Sequence, residues 1–408
     1  MSTNVSALKF LLRALRYRNY RLFFVGQGVS LIGTWMQIVT VSWLVYRLTG
    51  SPLLLGIVGF SSQIPTFILA PLAGVLADRF NRKRILIITQ ILSLLQALTL
   101  AFLSLFGIIR IWQVITLSII LGLINSFDIP TRQAFVADMI EKREDLGNAI
   151  ALNSSLFNIA RFIGPSLAGV IIATAGEGIC FLLNGLSFMA VILALLAMRI
   201  KLPKALNQTA PIFREIKEGF RYVFGFVLIR YILLLLALVS LTGMSYAVLM
   251  PIVAREILKG GAHTYGFLMG ATGLGALIGA LYLASQKNAC GMERIVLTAT
   301  VTFGTALIAF SFSRVLWLSI LLMMAVGFGM MVQMAASNTI LQNITDDNKR
   351  GRVMSFFAMS FMGMAPFGSL LGGALANKIG APYTIMLSGF SCILGVVFFA
   401  GKFKYYKK

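Results

Sequence analysis

Apolar residues run along this chain in blocks of about twenty, separated by short polar interruptions, from one end to the other. Blocks of ~20 apolar residues are long enough to cross the hydrocarbon of a bilayer as helices. Twelve are predicted, over residues 22–48, 53–77, 84–107, 111–136, 149–174, 178–199, 228–253, 264–286, 294–312, 315–341, 353–377 and 382–401. Stretches such as "YILLLLALVSL" do not alternate between polar and apolar positions, as the strands of a transmembrane barrel would. The predicted fold is all-α and polytopic, with twelve transmembrane helices.

The longest polar stretch, "RIKLPKALNQTAPIFREIKEG", divides these helices six and six. Its Pro, Asn, Gln and Lys content reads as a linker, with "FREIKEGFRYVF" as a helix along the membrane surface. The expected organisation is a six-helix bundle over 1–199, a cytoplasmic linker over 200–225 and a second six-helix bundle over 226–408. The halves repeat. Gly147, Gly164, Gly169, Gly176 and Gly185 recur 204 positions later as Gly351, Gly368, Gly373, Gly380 and Gly389, and Ser187 recurs as Ser391. Two parallel six-helix halves related by an axis along the membrane normal are a transporter architecture, with the substrate held near mid-membrane.

Charge orients the chain. Hydrophobic residues make up 58% of it and charged residues 12%, yet the net charge is +22. The termini and even-numbered connections hold 28 of the 35 Lys and Arg; six lie in odd-numbered connections, and Arg161 lies inside the fifth block. Positive charge marks the cytoplasmic side, so both termini are expected there, in a multi-pass protein of the inner membrane. Bases scattered over short loops form no nucleic-acid footprint. No cleavable signal is expected, because "LKFLLRALRYRNYRLFF" mixes bases with apolar residues at helical spacing and reads as an amphipathic lead-in on the membrane surface. Cys180, Cys290 and Cys392 are far apart and suggest neither a disulfide framework nor a metal site. No phosphate loop G-x-x-x-x-G-K-[ST] occurs, and the one histidine, His263, falls in an expected external loop. An ATP-driven pump, an enzyme and a bound cofactor are therefore not expected.

One charged knot, "GVLADRFNRKR", follows the second block. Anchoring by positive charge accounts for its bases but not for an acid at the membrane edge. The stretch resembles the loop between helices two and three of the major facilitator superfamily, G-x-x-x-D-R-x-G-R-R/K. Gly74, Asp78, Arg79, Arg82 and Lys83 match, and Asn81 replaces the second glycine. The resemblance implies a conformational latch. Asp78 would face the start of the eleventh helix near Gly351–Arg352, where the helix dipole favours negative charge, and Arg82 would pair with Asp128 of "FDIPTRQAF". The equivalent place in the second half has Leu283 where the acid would fall. In the fifth block, Gly164, Pro165 and Gly169 of "NIARFIGPSLAGV" are similar to the Gly-Pro-x-x-Gly-Gly element of drug-exporting members, with Ala168 in place of a glycine. The chain as a whole resembles the branch containing bacterial drug exporters and enterobactin-type siderophore exporters. Ordinary close packing of helices explains the same small residues.

Gln27, Thr34, Gln37, Asn125, Asn158, Arg161, Gln333 and Asn338 are the candidate lining of a substrate cavity; polar side chains in a bundle also hydrogen-bond helices together. Two roles fit Arg161, contact with an anionic or zwitterionic cargo and a structural ion pair with Asp128. Nine methionines between Met323 and Met364 suit a surface that adapts to different ligands, or simply fill the core. The expected function is secondary transport by alternating access: efflux of an amphipathic small molecule, drug-like or siderophore-like, driven by the proton gradient. Uptake by a symporter and flipping of lysolipid or lipid-like molecules are the alternatives. The resemblance implies proton coupling, for which Asp128 and Asp78 are the candidate acids. The expected partners are the small-molecule substrate, protons and the lipid bilayer, with no nucleic acid, and the chain is expected to act as a monomer.

Overall fold

The computed structural model describes residues 12–199, 220–286, 291–346 and 349–403; the side chains of 70–79 and 402–403 lie outside the described set, as do Cys290 and most of the expected linker. Among the described residues, twelve helices are long and apolar enough to cross a membrane. They are α1 (Arg18–Thr49), α2 (Pro52–Arg79), α3 (Arg82–Leu105), α4 (Ile111–Asp138), α5 (Leu146–Ala175), α6 (Glu177–Ala197), α7 (Val227–Ile257), α8 (Ala262–Ser285), α9 (Met292–Phe312), α10 (Leu316–Ile344), α11 (Arg350–Ile379) and α12 (Ala381–Phe403). Each predicted block falls on one of these helices, with ends that agree to within about four residues; the blocks 84–107, 178–199 and 264–286 run one or two residues past the helix.

Close contacts gather the chain into two compact units. One contains the described residues up to Val41 and from Ile64 to Arg199; the other contains Ser42–Gln63 and the described residues from Phe220 onward. In the first unit α3 packs chiefly on α6 and α4; in the second, α8 and α9 pack on α10, and α9 on α12.

The glycine repeat has the same physical meaning in both units. A Cβ at Gly164 would meet Trp35 Cβ at 2.6 Å and Ile32 O at 2.9 Å, so α5 lies directly against α1. A Cβ at Gly368 would meet Leu241 O at 2.5 Å and Ser240 O at 2.8 Å, so α11 lies against α7 in the same way. Gly176 and Gly380 form the corners after α5 and α11 with φ +83° and +85°, a left-handed conformation that glycine adopts without the Cβ penalty. In the second unit, a Cβ at Gly275 would overlap Met324 O and one at Gly327 would overlap Thr272 O. That close approach of α8 and α10 is the structural use of "YGFLMGATGLGALIGAL".

Two helices of the second unit are broken. Helix α7 passes through a 3-10 turn at Gly243–Ser245 and ends in a π-helical turn at Val253–Ile257. Helix α11 is interrupted between Phe361 and Ala365, where Pro366 enters the first turn of its second segment. Proline supplies no N–H to the preceding turn, and hydroxyls re-satisfy backbone groups freed in this way. Ser240 of α7 donates to the Phe361 carbonyl, and Ser245 donates to Thr242 O at 2.6 Å. Ser391 of α12 donates to Thr242 Oγ1 at 2.8 Å, and Ser245 and Ser388 share a hydrogen bond of 3.0 Å. Helix α5 carries Pro165 but runs unbroken.

The lead-in is only partly described, and its described part does not lie apart from the bundle. Tyr20 is buried and donates to Ala149 O at 2.9 Å, while Tyr17 donates to Asp145 Oδ2 at 2.6 Å. Arg13 and Arg16 pair with the same carboxylate. Two tyrosines with partners on and beside α5 hold this segment against its own unit. The Tyr17 hydroxyl, with Arg16 and Arg13 beside it, holds the Asp145 carboxyl below its ordinary range.

Candidate functional site

Polar side chains of the first unit fall into three groups along α4. Nearest the end of that helix, Arg82 Nη1 donates to Asp138 at 3.0 and 3.1 Å. This corrects the expected Arg82–Asp128 pair. Helix α4 runs on to Asp138, so Asp128 sits ten residues back, about 15 Å along the axis at 1.5 Å per residue. Lys83 Nζ donates to Met198 O at 2.8 Å, capping the end of α6, and Asn81 Oδ1 accepts from Arg84 N at 3.1 Å to cap the start of α3. The side chains of Gly74, Asp78 and Arg79 lie outside the described residues. Arg352, in the first turn of α11, is half-buried.

Deeper along α4, Asp128 is buried at 4% exposure. Its Oδ1 accepts from Thr89 Oγ1 and Gln90 Nε2 of α3, each at 2.9 Å, and Arg132 Nε lies 3.4 Å from Oδ2. The expected alternative of Arg161 pairing with Asp128 is also corrected. The ionic partner of Asp128 is Arg132, one turn away on the same helix, whereas the Arg161 guanidinium lies over the Trp35 ring at 5.6 Å. That stacking uses the aromatic face as a cation partner at the place where Gly164 brings α5 onto α1.

The third group is a chain of amides. Asn184 Nδ2 donates to Gln37 Oε1 at 2.6 Å, Gln37 Nε2 to Gln96 Oε1 at 3.1 Å, and Gln96 Nε2 to Leu117 O at 3.2 Å. Four helices, α6, α1, α3 and α4, are joined through it. Gln37, a candidate for the cavity lining, is therefore 3% exposed and occupied in holding helices together. Asn158 donates to Ser154 O at 2.9 Å, and Thr34 to Ser30 O at 2.9 Å, each within its own helix. Asn125 is half-buried, and Gln27 is buried with its Oε1 unpartnered.

In the second unit, Gln333 is fully buried on α10 with both ends of its amide unpartnered, and Ser337 Oγ one turn away is unpartnered too. Asn338 accepts from Gln342 Nε2 at 2.5 Å. At the other end of this unit, Trp43 stacks on Tyr265 with ring centres 6.3 Å apart, and the Tyr46 hydroxyl donates to Glu256 Oε1 at 2.7 Å. Sequence reasoning did not single out Thr89, Gln90, Gln96, Asp138 or Asn184. The i, i+4 spacing of Asp128 and Arg132 was a readable signal; the partners on other helices were not.

The family model described as "Transmembrane secretion effector" matches residues 11–405. The Staphyloferrin A transporter of Staphylococcus aureus is 28% identical over 385 residues, covering 93% of this chain and 96% of its own. The multidrug efflux pump Tap of Mycolicibacterium fortuitum is 28% identical, covering 90% of this chain and 91% of its own. The enterobactin exporter EntS of Shigella boydii is 23% identical, covering 93% and 89%. In fold, the peptide-transporter-family protein PepTSo superposes with a TM-score of 0.73 at 13% identity, covering 96% of this chain and 98% of its own. A bacterial homologue of the lysosomal transporter Spinster superposes with a TM-score of 0.71 at 13% identity, covering 96% and 97%. With almost every residue inside the family match and twelve spanning helices that superpose on those transporters, the chain belongs to the transmembrane secretion effector family of major facilitator transporters.

Proposed function

We propose that the protein exports a bulky amphipathic small molecule across the inner membrane, with both termini cytoplasmic and the proton gradient as the driving force. The observation that carries this reading is likeness over nine-tenths of the chain to proteins named as exporters, the multidrug pump and the enterobactin exporter among them. The chain's own chemistry supports it. The nine methionines of α10 and α11 are split between core and surface: Met323 and Met330 are buried, while Met359 and Met362 are about half exposed. Flexible thioethers beside buried amides such as Gln333 suit a cargo with a large apolar body and a few polar groups.

The charged knot acts as a latch in this reading. Gly74, Asp78, Arg79, Arg82 and Lys83 are its residues in the first half, and Arg352 is assigned to it from the second. Asp138 takes the place of Asp128 as the acid that fastens Arg82. Gly164 seats α5 against α1, and with Pro165 and Gly169 it forms the element that resembles that of drug-exporting members. A single chain contains both repeats, and it works as a monomer.

The test compares a deletion strain with the complemented strain, measuring susceptibility to macrolides and other amphipathic drugs alongside siderophore release into the medium. Export predicts that the deletion strain retains a compound that the complemented strain sheds, and that collapsing the pH gradient abolishes the difference. Accumulation that falls on deletion identifies uptake instead. A change confined to the distribution of lysolipid between leaflets identifies a flippase.

A further inference from the structure

We propose that the face formed by α7 and α12 binds a phospholipid of net negative charge, with its phosphate on Arg230 and one acyl chain in the groove between the two helices. The site lies wholly within the second unit and does not rest on the export reading.

The two helices run antiparallel in a fixed register. Tyr231 meets Phe399 with ring centres 5.6 Å apart, and further along α7 Thr242 Oγ1 accepts from Ser391 at 2.8 Å. From Tyr231 to Thr242, at 1.5 Å per residue, is about 16 Å, close to the ~15 Å that one leaflet contributes to a ~30 Å hydrocarbon core. A shallow groove of about 360 Å³ occupies this stretch, lined by Leu238, Ser391, Leu394, Gly395, Phe398 and Phe399. Gly395 is buried, and a Cβ there would meet Leu238 Cδ2 at 2.5 Å, so the helices close on each other at the floor. Leu394 and Phe398 remain 57% and 76% exposed. The one hydroxyl in the lining, that of Ser391, is engaged with Thr242, which leaves an occupant only apolar contact.

Arg230, in the first turn of α7, supplies the polar end. Its Nη1 donates to the Phe224 carbonyl at 3.3 Å, its Nη2 lies 3.5 Å from the Tyr231 hydroxyl, and its Cζ lies 4.9 Å from the centre of the Tyr231 ring. Phe224 precedes α7, so the guanidinium is turned toward the start of the helix, as a base at a membrane edge turns toward the headgroups. The groove leads the opposite way from the same Tyr231 ring. A guanidinium has five N–H donors in a fork that matches phosphate; these contacts engage two, and among the described residues no carboxylate pairs with Arg230. Phe220, Arg221, Phe224 and Phe226 are exposed beside it. Tyr222, in the same segment, has Lys349 over its ring at 4.4 Å and donates to Asp346 at 3.5 Å, a pair neutral in sum. The balance at this end is positive.

These features select a lipid over other occupants. In the orientation proposed above, the start of α7 is at the cytoplasmic leaflet, whose anionic lipids attract bases near the surface. A second copy of a chain with net charge +22 would bring mostly further bases to Arg230. A free phosphate would leave the apolar groove unused. The inner end of the groove, at Ser391 and Thr242, adjoins the 3-10 turn at Gly243–Ser245, so a chain lying in it packs beside the break in α7.

The test is native mass spectrometry of the purified, delipidated full-length protein, titrated separately with phosphatidylglycerol, with diacylglycerol of the same chains and with glycerol phosphate. The expected result is one retained phosphatidylglycerol per chain, diacylglycerol held roughly fivefold more weakly for want of the charge, and no retained glycerol phosphate. Arg230→Gln should bring phosphatidylglycerol down to the diacylglycerol level while leaving diacylglycerol unchanged, a split that a merely structural role would not produce. Phe398→Ala, at an exposed position, and Gly395→Leu, which drives Leu238 into the groove, should weaken both lipids. Phosphatidylglycerol binding undiminished by Arg230→Gln, or by both groove variants, overturns the proposal. Glycerol phosphate retained as firmly as the lipid overturns it in favour of an anion site, and a lipid-free dimer overturns it in favour of a second copy. No cargo or gradient enters the measurement, so failure here leaves the export reading standing, and a strain comparison without export leaves the lipid site standing.

Discussion

Asp128 and Asp138 share one helix and differ in what surrounds them: two neutral donors and a cation one turn away for the first, a two-pronged arginine contact for the second. The Arg82–Asp138 pair is testable by charge reversal. Hydrogen bonds to a charged group contribute about 1.5–3 kcal/mol, so Arg82→Asp and Asp138→Arg should each lower the melting temperature of the purified protein. The double reversal should recover at least half of the loss, read as the coupling term of a double-mutant cycle. Losses that simply add would reject the pair. A second contrast concerns glycine. Gly164→Ala places a methyl group against Trp35 Cβ and Ile32 O, and overpacking of that kind costs about 1–3 kcal/mol. Gly147→Ala meets nothing within 4 Å and should gain helix propensity, by up to about 1 kcal/mol. The same thermal measurement checks both; equal shifts would mean that α5 is not seated on α1 as described. In sequence the two glycines look alike, because what distinguishes them is the neighbouring helix. The partner of Arg82 was misread for a related reason. The apolar block fades at residue 136, while the helix continues to Asp138, so the acid at its end was passed over for one inside.

Among elements, the twelve helices were legible because hydropathy and length alone decide them. The breaks in α7 and α11 were not. Pro165 and Pro366 lie in repeat-related helices but three residues out of register, Pro165 aligning with Ser369 and Pro366 with Phe162, and α5 runs on while α11 is interrupted. The break in α11 is supported from off the helix, by the Ser240 hydroxyl that donates to Phe361 O, and the serines of α12 support the turn in α7. Hydroxyls substitute for backbone donors at low cost, so a break supported in this way can bend without exposing unpaired groups to hydrocarbon. Hydrogen exchange should therefore be faster at the amides of 362–365 than at the repeat-related positions 158–161 of α5. Pro366→Ala should slow that exchange and reduce transport while membrane insertion stays normal. Equal protection in the two helices, unaffected by Pro366→Ala, would show that the interruption is not a point of flexure.

For the molecule as a whole, composition and charge specify the class, and charge is what the proposed direction of insertion is read from. Lys and Arg near the ends of spans bias those ends to the cytoplasm, and here 28 of 35 lie in the termini and even-numbered connections. The bias is repeated in both halves, so no single loop decides it, and reversing one loop's charge should not invert the protein. The two sides are distinguishable by cysteine labelling. Cys180 and Cys392 are fully buried, and replacing all three native cysteines by alanine gives a background for introduced ones. His263→Cys, exposed in the first turn of α8, should react with a membrane-impermeant maleimide added to intact spheroplasts. Arg143→Cys, on the connection between α4 and α5, should react only after the membrane is opened. One site is in the first turn of a helix and the other in a short connection, so the labelling reports the helices beside them. Labelling of Arg143→Cys in intact spheroplasts, with His263→Cys protected, would place the basic connections outside and reverse the direction in which the proposed proton and cargo movements run.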